Sequence, residues 1–307
     1  MAAVTPSSSP DVRVTIALDG PYDVRHALAG SGATMDATHA SRPESVRWAA
    51  RTPEGPVTAR AHVVDSHLVV EAWGDGAGWL TSREDQLAAR HDDARPVRFD
   101  HERLDELNRR NPGLRHAAPG HVVDHLLARV FGQRVLSVEA GRSWTAVCRE
   151  LGDPAPGPLE LQLPPDPERV ANTPLWWFHQ HGLEQARARV LVAIARNARR
   201  LAQVVDLPLP DAYRRMRAVP GVGAWTTNGV ARSALGDPDA IIVGDYWISH
   251  IVCTFFTGKA RGSDEEMLAL VERWEGQRGR VERLIHRSGH RIQRFAAGRP
   301  TPRIAHL

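Results

Sequence analysis

The chain has 307 residues, 42% of them hydrophobic, which is enough for two folded domains with sizeable cores. A formal charge of +3 is too small to mark a nucleic-acid binder by itself, so local clusters must carry that argument. Cys148 and Cys253 are too few for a four-cysteine iron–sulfur cluster or a cysteine-ligated zinc, and Lys259, the only lysine, leaves almost no amine for Schiff-base chemistry.

Residues 1–10 are rich in Ser and Pro and lack the apolar centre of a signal peptide; they read as a disordered tail. No apolar run approaches membrane-spanning length, and two cysteines suit a reducing compartment, so the expectation is a soluble, cytoplasmic, bacterial-type monomer. Residues 11–95 read as a small α+β domain. Val12, Val14, Ile16 and Leu18 alternate with polar or small residues, a helix is expected at Tyr22 to Leu28, and strands at Ser45 to Arg51, Val57 to Val64 and Leu68 to Trp73. Residues 96–300 read as an all-helical domain of two lobes around a cleft. Helical periodicity runs through Trp79 to His91, Phe99 to Asn108, Val122 to Phe131, Ser143 to Leu151, Leu183 to Val205 and Asp264 to Arg287.

The most informative stretch is Val219-Pro220-Gly221-Val222-Gly223-Ala224-Trp225-Thr226. A helix over Pro210 to Ala218 is stopped by Val219-Pro220, the glycines at 221 and 223 allow positive φ and close approach of another backbone, and a second helix follows. Free amides of its first turn, near Ala224 to Thr226, make an anion site that suits a DNA phosphate. Arg214, Arg215 and Arg217 stand beside it and would supply sequence-independent duplex affinity. Twenty positions after Trp225, beyond the buried-looking run Ala240 to Gly244, Asp245 opens a helix over Tyr246 to Val252, where it would serve as an N-cap.

The combination of hairpin and aspartate resembles the helix-hairpin-helix DNA glycosylases with a Gly/Pro-rich loop, and within them 3-methyladenine DNA glycosylase II. The likeness extends to Gly20-Pro21-Tyr22-Asp23, to Asn111-Pro112-Gly113-Leu114-Arg115, to Gly132-Gln133-Arg134-Val135-Leu136-Ser137 and to Trp225-Thr226. It implies an α+β fold: an N-terminal antiparallel (TBP-like) sheet domain, then an all-α two-lobed glycosylase domain with its hairpin at 219–223. It implies double-stranded DNA carrying alkylated bases as partner, with Gly221, Gly223, Thr226, Arg215, Arg217, Gln133 and Arg134 at the DNA. Asp245 is then the catalytic carboxylate, set against positive charge that builds on the deoxyribose as the glycosidic bond breaks. Trp225, Tyr246 and His286 are the candidate base pocket, whose aromatic faces attract a purine made cationic by alkylation. Arg134 or Val135 would fill the gap left by the flipped nucleotide, although a helix end with a solvent-facing arginine accounts for the same residues. Relatives that also cut the strand place a lysine where Trp225 stands, so a monofunctional enzyme leaving an abasic site is expected. No organic or redox cofactor and no metal are implied beyond a monovalent cation on hairpin carbonyls. Where the closest relatives have aromatic residues, this chain has Gly30, Gly229 and His286, which implies a roomier pocket open to bulkier N3 or N7 adducts.

Other constellations are weaker. His121 and His125 lie four apart on one helical face, as do His286 and His290, but neither pair has a third ligand or the glutamate of a zinc helix. Arg187, Arg189, Arg196, Arg199 and Arg200 read mostly as a solvated face. Trp176, Trp177, Tyr246 and Trp225 are stacking candidates, while Trp247 is expected in the core. The rival reading is a noncatalytic damage-binding or DNA-bending protein, in which Asp245 only caps a helix. An enzyme for an oxidised base is disfavoured by the missing lysine.

Overall fold

In the computed structural model the described residues are 9–28, 30, 36–42, 44–92, 97–290 and 292. Most of the expected N-terminal tail, the expected domain boundary at 95/96 and the expected end of the helical domain near 300 lie outside them. Five antiparallel strands come first: β1 Val12–Ala17, β2 His39–Arg42, β3 Ser45–Thr52, β4 Gly55–Val64 and β5 His67–Trp73, in the order β1-β5-β4-β3-β2. Two tight turns set the register. Thr52 pairs with Gly55, and Val64 pairs with His67 around Asp65 and Ser66, whose φ values of 47° and 60° match the twist of the flanking strands. One sheet face buries Ile16, Trp48, Leu68 and Val70 against Val24 and Ala27 of the helix Val24–Ala27 and against Leu80 of the helix Ala77–Thr81.

β2 is the strand that the sequence pattern hides. His39–Arg42 has no alternation of apolar and polar residues, and as an edge strand it is held by its pairing with β3 rather than by burial. The helices depart from expectation mainly where polar interruptions break a long periodic run. Trp79 to His91 becomes Ala77–Thr81 and Glu84–Leu87, and Leu183 to Val205 becomes Gln185–Arg196, Ala198–Ala202 and a 3₁₀ turn. Asp264 to Arg287 likewise divides into Asp264–Val271, a 3₁₀ turn and Arg278–Arg287, while Val122–Phe131 has the expected bounds. The helix Ser137–Leu151 starts six residues earlier than its apolar pattern, and Phe99 to Asn108 is observed as Glu102–Arg110.

Two further cores form the lobes of the helical part. One gathers Leu126, Phe131, Trp144, Phe178, Leu191, Met216 and Val230; the other gathers Phe99, Leu104, Ile242, Val252, Met267, Trp274 and Leu284. The helix Ala224–Ala234 joins them, because Val230 and Ala234 belong to the first core while Trp225, at its start, packs against the second. Fully buried Arg280 pairs with Asp92 and donates to Leu114 O, and Asp92 also accepts the backbone N–H of His116 at 2.7 Å, fastening the last helix to the chain entering the helical part. No described helix is long and apolar enough to cross a membrane.

Candidate active site

The helix Leu209–Arg217 ends at the hairpin, and the helix Ala224–Ala234 begins immediately after it. The two glycines do different work. Gly221 holds φ +83°, and a Cβ there would lie 2.2 Å from Val190 Cγ2. Gly223 has φ −91° and meets nothing within 4 Å where its Cβ would be, which corrects the expectation of positive φ at both. Its missing side chain leaves open space above the first turn of the following helix, where no acidic residue and no side-chain cap covers the free amides.

Gln133 locks the hairpin from the other side. Its Nε2 donates to Gly221 O at 3.3 Å and to Thr226 Oγ1 at 3.0 Å. The Thr226 side chain is therefore buried and spent on Gln133, so what the hairpin offers to solvent here is backbone. Arg217 donates to Thr227 Oγ1 and Asn228 Oδ1, both at 3.3 Å, and lies over Tyr213; Arg215 reaches Gln203. Arg134 is exposed at φ +60°, Val135 packs on the first lobe's core, and Leu136 beside them is 55% exposed, making it the freest apolar side chain of this turn. In the other arginine group, Arg189, Arg196, Arg199 and Arg200 are exposed, but Arg187 is buried and donates to Phe131 O and Gly182 O.

The helix Ile248–Thr257 starts three residues after Asp245, later than the start expected at Tyr246. The Asp245 Oδ1 accepts the N–H groups of Trp247 at 2.9 Å and Ile248 at 3.2 Å, so it caps without belonging to the helix. Its Oδ2 accepts Trp225 Nε1 at 3.3 Å. Gly244, at φ +77°, turns the chain just before it and donates its N–H to Asp264 at 2.6 Å. The half-buried carboxylate is thus fixed on three donors, one of them the Trp225 indole.

The walls differ from expectation. Trp225 is held by Gly132, whose Cβ would lie 3.1 Å from its Cη2, and by the Asp245 bond. Tyr246 is 67% exposed and packs edge-on against Trp247 at 4.6 Å; Trp247 itself is 38% exposed rather than in the core. His286 lies exposed near the end of the helix Arg278–Arg287. Trp177 meets His181 at a tilt, with ring centroids 4.0 Å apart, and packs against the first lobe's core. Gly229 is not the empty space that its sequence suggests, because the Arg129 guanidinium occupies it: a Cβ on Gly229 would lie 2.4 Å from Arg129 Cζ. The same Cζ sits 5.3 Å from the Trp225 ring centroid. Sequence reading missed Arg129, although a lone arginine inside the apolar run Leu126 to Phe131, three residues before Gly132, was a visible anomaly.

His121 and His125 lie deep in the fold instead of at a metal site: Trp48 Nε1 donates to His121 Nε2 at 3.1 Å, and His125 Nδ1 meets Ser233 Oγ at 2.7 Å. Among the described residues no three His, Cys, Asp or Glu side chains converge to hold a metal. Lys259 is exposed beside Glu266, 3.7 Å away.

No family model and no curated protein sequence matches the chain. Solved structures do. The 3-methyladenine DNA glycosylase from Archaeoglobus fulgidus superposes with a TM-score of 0.68 at 18% identity, covering 89% of this chain and 96% of that one. The 8-oxoguanine glycosylase/lyase of Clostridium acetobutylicum, bound to DNA with cytosine opposite the lesion, gives 0.53 at 11% identity over 80% and 95%. A 3-methyladenine DNA glycosylase from fission yeast (Schizosaccharomyces pombe), bound to abasic DNA, gives 0.51 at 15% over 63% and 93%. The chain thus has the fold of the helix-hairpin-helix DNA glycosylases, with an N-terminal antiparallel sheet followed by helices.

Proposed function

We propose that the chain is a monofunctional DNA glycosylase that flips a damaged purine from duplex DNA and hydrolyses its glycosidic bond, leaving an abasic site. The observation that carries this reading is the Asp245 carboxylate, fixed by Trp247 N–H, Ile248 N–H and Trp225 Nε1 beside an uncovered hairpin. As the C1′–N9 bond breaks, its electron pair leaves with the base and positive charge builds on C1′ and O4′ of the sugar. A preorganised carboxylate stabilises that charge, and water adds to C1′ with loss of a proton. The free amides after Gly223 hold a phosphate of the damaged strand, Arg215 and Arg217 add backbone contacts, and Arg134 or Leu136 fills the vacated stack.

Two observations support monofunctional action: Trp225 occupies the hairpin position suited to a nucleophile, and Lys259, the only lysine of the sequence, pairs with Glu266. Alkylated purines are the first class to test: the resemblance in the sequence points to them, and two of the similar structures are 3-methyladenine glycosylases. The hairpin suits a monovalent cation at its backbone oxygens, since Val219 O and Gly221 O each give one lone pair to Val222 N–H and Gln133 and keep another. Such an ion would add positive charge beside the phosphate.

The test is single-turnover base release from alkylated duplex, followed by alkaline cleavage of abasic sites, comparing the native chain with Asp245→Asn. Release that falls by about 10²–10³-fold or more in the variant while duplex binding persists is expected. Strand cleavage by the native chain without alkali contradicts monofunctional action. Equal release by both chains removes Asp245 from the mechanism, and binding without release of any lesion leaves a damage-binding protein on this fold.

A further inference from the structure

Arg129 is a cation set against the Trp225 indole that bonds Asp245. It comes from the helix Val122–Phe131 of one lobe, crosses to the bare backbone of Gly229, and sets its guanidinium 5.3 Å from the Trp225 ring centroid, on the indole that bonds Asp245. It is half-buried, and its Nε is buried without a hydrogen-bond partner. The acid that might have neutralised it is otherwise engaged: Glu282 receives Arg232 Nη1 at 2.7 Å through one oxygen and Ile242 N–H at 3.0 Å through the other. Burial and the neighbouring Arg232 pull the Arg129 guanidinium down to about 10, with Glu282 and Asp245 acting in the opposite sense, so it is still charged at neutral pH. Buried donors without acceptors are costly, and a ligand that supplies acceptors recovers the cost.

We infer that Arg129 is the base-recognition group of this site and that it selects neutral purine lesions carrying carbonyl or ring-nitrogen acceptors over purines made cationic by alkylation at N3 or N7. This rests on the glycosylase reading of Asp245. A cationic base leaves without help and is repelled by a guanidinium; a neutral base leaves as an anion and needs a donor. When the C1′–N9 bond breaks, the electron pair passes to the purine and is stabilised by Arg129 N–H groups, the sugar cation is stabilised by Asp245, and water gives hydroxide to C1′ and its proton to the departing base. Charge and atoms balance with no other reactant. The reading also accounts for Gly229, since any side chain there would expel the guanidinium.

The test compares duplexes carrying hypoxanthine, neutral with O6 and N7 acceptors, and 7-methylguanine, cationic. Single-turnover release is measured for the native chain, Arg129→Met and Arg129→Lys. The native chain is expected to favour hypoxanthine; Arg129→Met lowers hypoxanthine release about a hundredfold and 7-methylguanine release by less than about threefold, and lysine restores part of the loss. A native preference for 7-methylguanine, or equal losses on both substrates in Arg129→Met, overturns the assignment and leaves a packing role. Binding of the same duplexes to Asp245→Asn, with and without Arg129→Met, separates this inference from the one beneath it. If the native chain releases neither base, the glycosylase reading fails for these two lesions, and a hypoxanthine preference in binding that Arg129→Met abolishes still supports Arg129. Equal binding of the two duplexes refutes it.

Discussion

Gly221 at φ +83° tolerates no Cβ, because Val190 Cγ2 would stand 2.2 Å from it and because L side chains rarely adopt that backbone conformation. Gly223, with ordinary φ and open space where a Cβ would go, has no such constraint from within the chain. It is the N-cap of the next helix, a position that favours glycine over alanine, and the open space also leaves room for a phosphate over that helix's amides. The two alanine variants therefore separate fold from binding. Gly221→Ala should lower unfolding stability by about 1–3 kcal/mol. Gly223→Ala should cost no more than about 1 kcal/mol of stability, from the N-cap, while weakening duplex binding about tenfold, about 1.4 kcal/mol. Chemical denaturation and a fluorescence-anisotropy titration at fixed salt read the two effects, and an unfolding loss at Gly223 with unchanged affinity would remove the phosphate from this account. The same scale shows why Arg129 stayed hidden in the sequence: its role depends on Gly229 lying a hundred residues away, and no spacing rule links them.

Between elements, the turn after Val122–Phe131 and the hairpin meet through one side chain. Gln133 donates to Gly221 O and Thr226 Oγ1, so the two elements that the proposed function sets against the duplex are tied to each other. Gln133→Ala leaves the buried Thr226 hydroxyl without this partner and is expected to cost about 1 kcal/mol. It should also raise amide exchange at 221–226 and lower single-turnover release more than duplex affinity; unchanged exchange would show that the hairpin is rigid without it. The elements themselves were largely legible, because Val122 to Phe131 and the hairpin helices carry clear apolar periodicity and stop signals. What the sequence concealed has particular causes. β2 is an edge strand defined only by pairing, the helix expected over Leu183 to Val205 breaks at Asn197, whose amide donates to Ala193 O, and Asp245 caps a helix from three residues before its first residue. The carboxylate and Trp225 were legible as a motif, whereas exposed Tyr246 was chosen for its place beside Asp245 and exposed His286 by register, and neither carries information on which face a side chain takes.

Across the whole molecule, the sheet is fastened to the first lobe through groups whose charge state the fold dictates. Trp48 Nε1 donates to His121 Nε2, which requires that nitrogen to be unprotonated, and burial together with Arg83 pulls His121 down to about 3. Asp124 accepts the Arg51 N–H at 2.8 Å, but its other oxygen is buried without a partner, and burial pushes the carboxyl up to about 7 against the pull of Arg51. These groups line a cavity of about 30 Å³ between sheet and helices, together with Trp144 and His125. Their pH effects have opposite signs. His121, held neutral, contributes stability that is lost as pH falls from about 6.5 toward 3, where the unfolded chain takes up a proton that the fold refuses. Asp124 binds its proton more tightly in the fold than in the unfolded chain, so its contribution is present at low pH and is lost as pH rises from about 4 through about 7. Asp124→Asn isolates the second effect, since the amide oxygen can still accept the Arg51 N–H while nothing titrates. Relative to the native chain, the variant should gain about 2–3 kcal/mol between pH 5 and pH 8, read as the difference of denaturant unfolding free energies at each pH. A difference that does not change with pH would mean that Asp124 is ionised in the fold throughout and that the cavity holds a partner for its second oxygen.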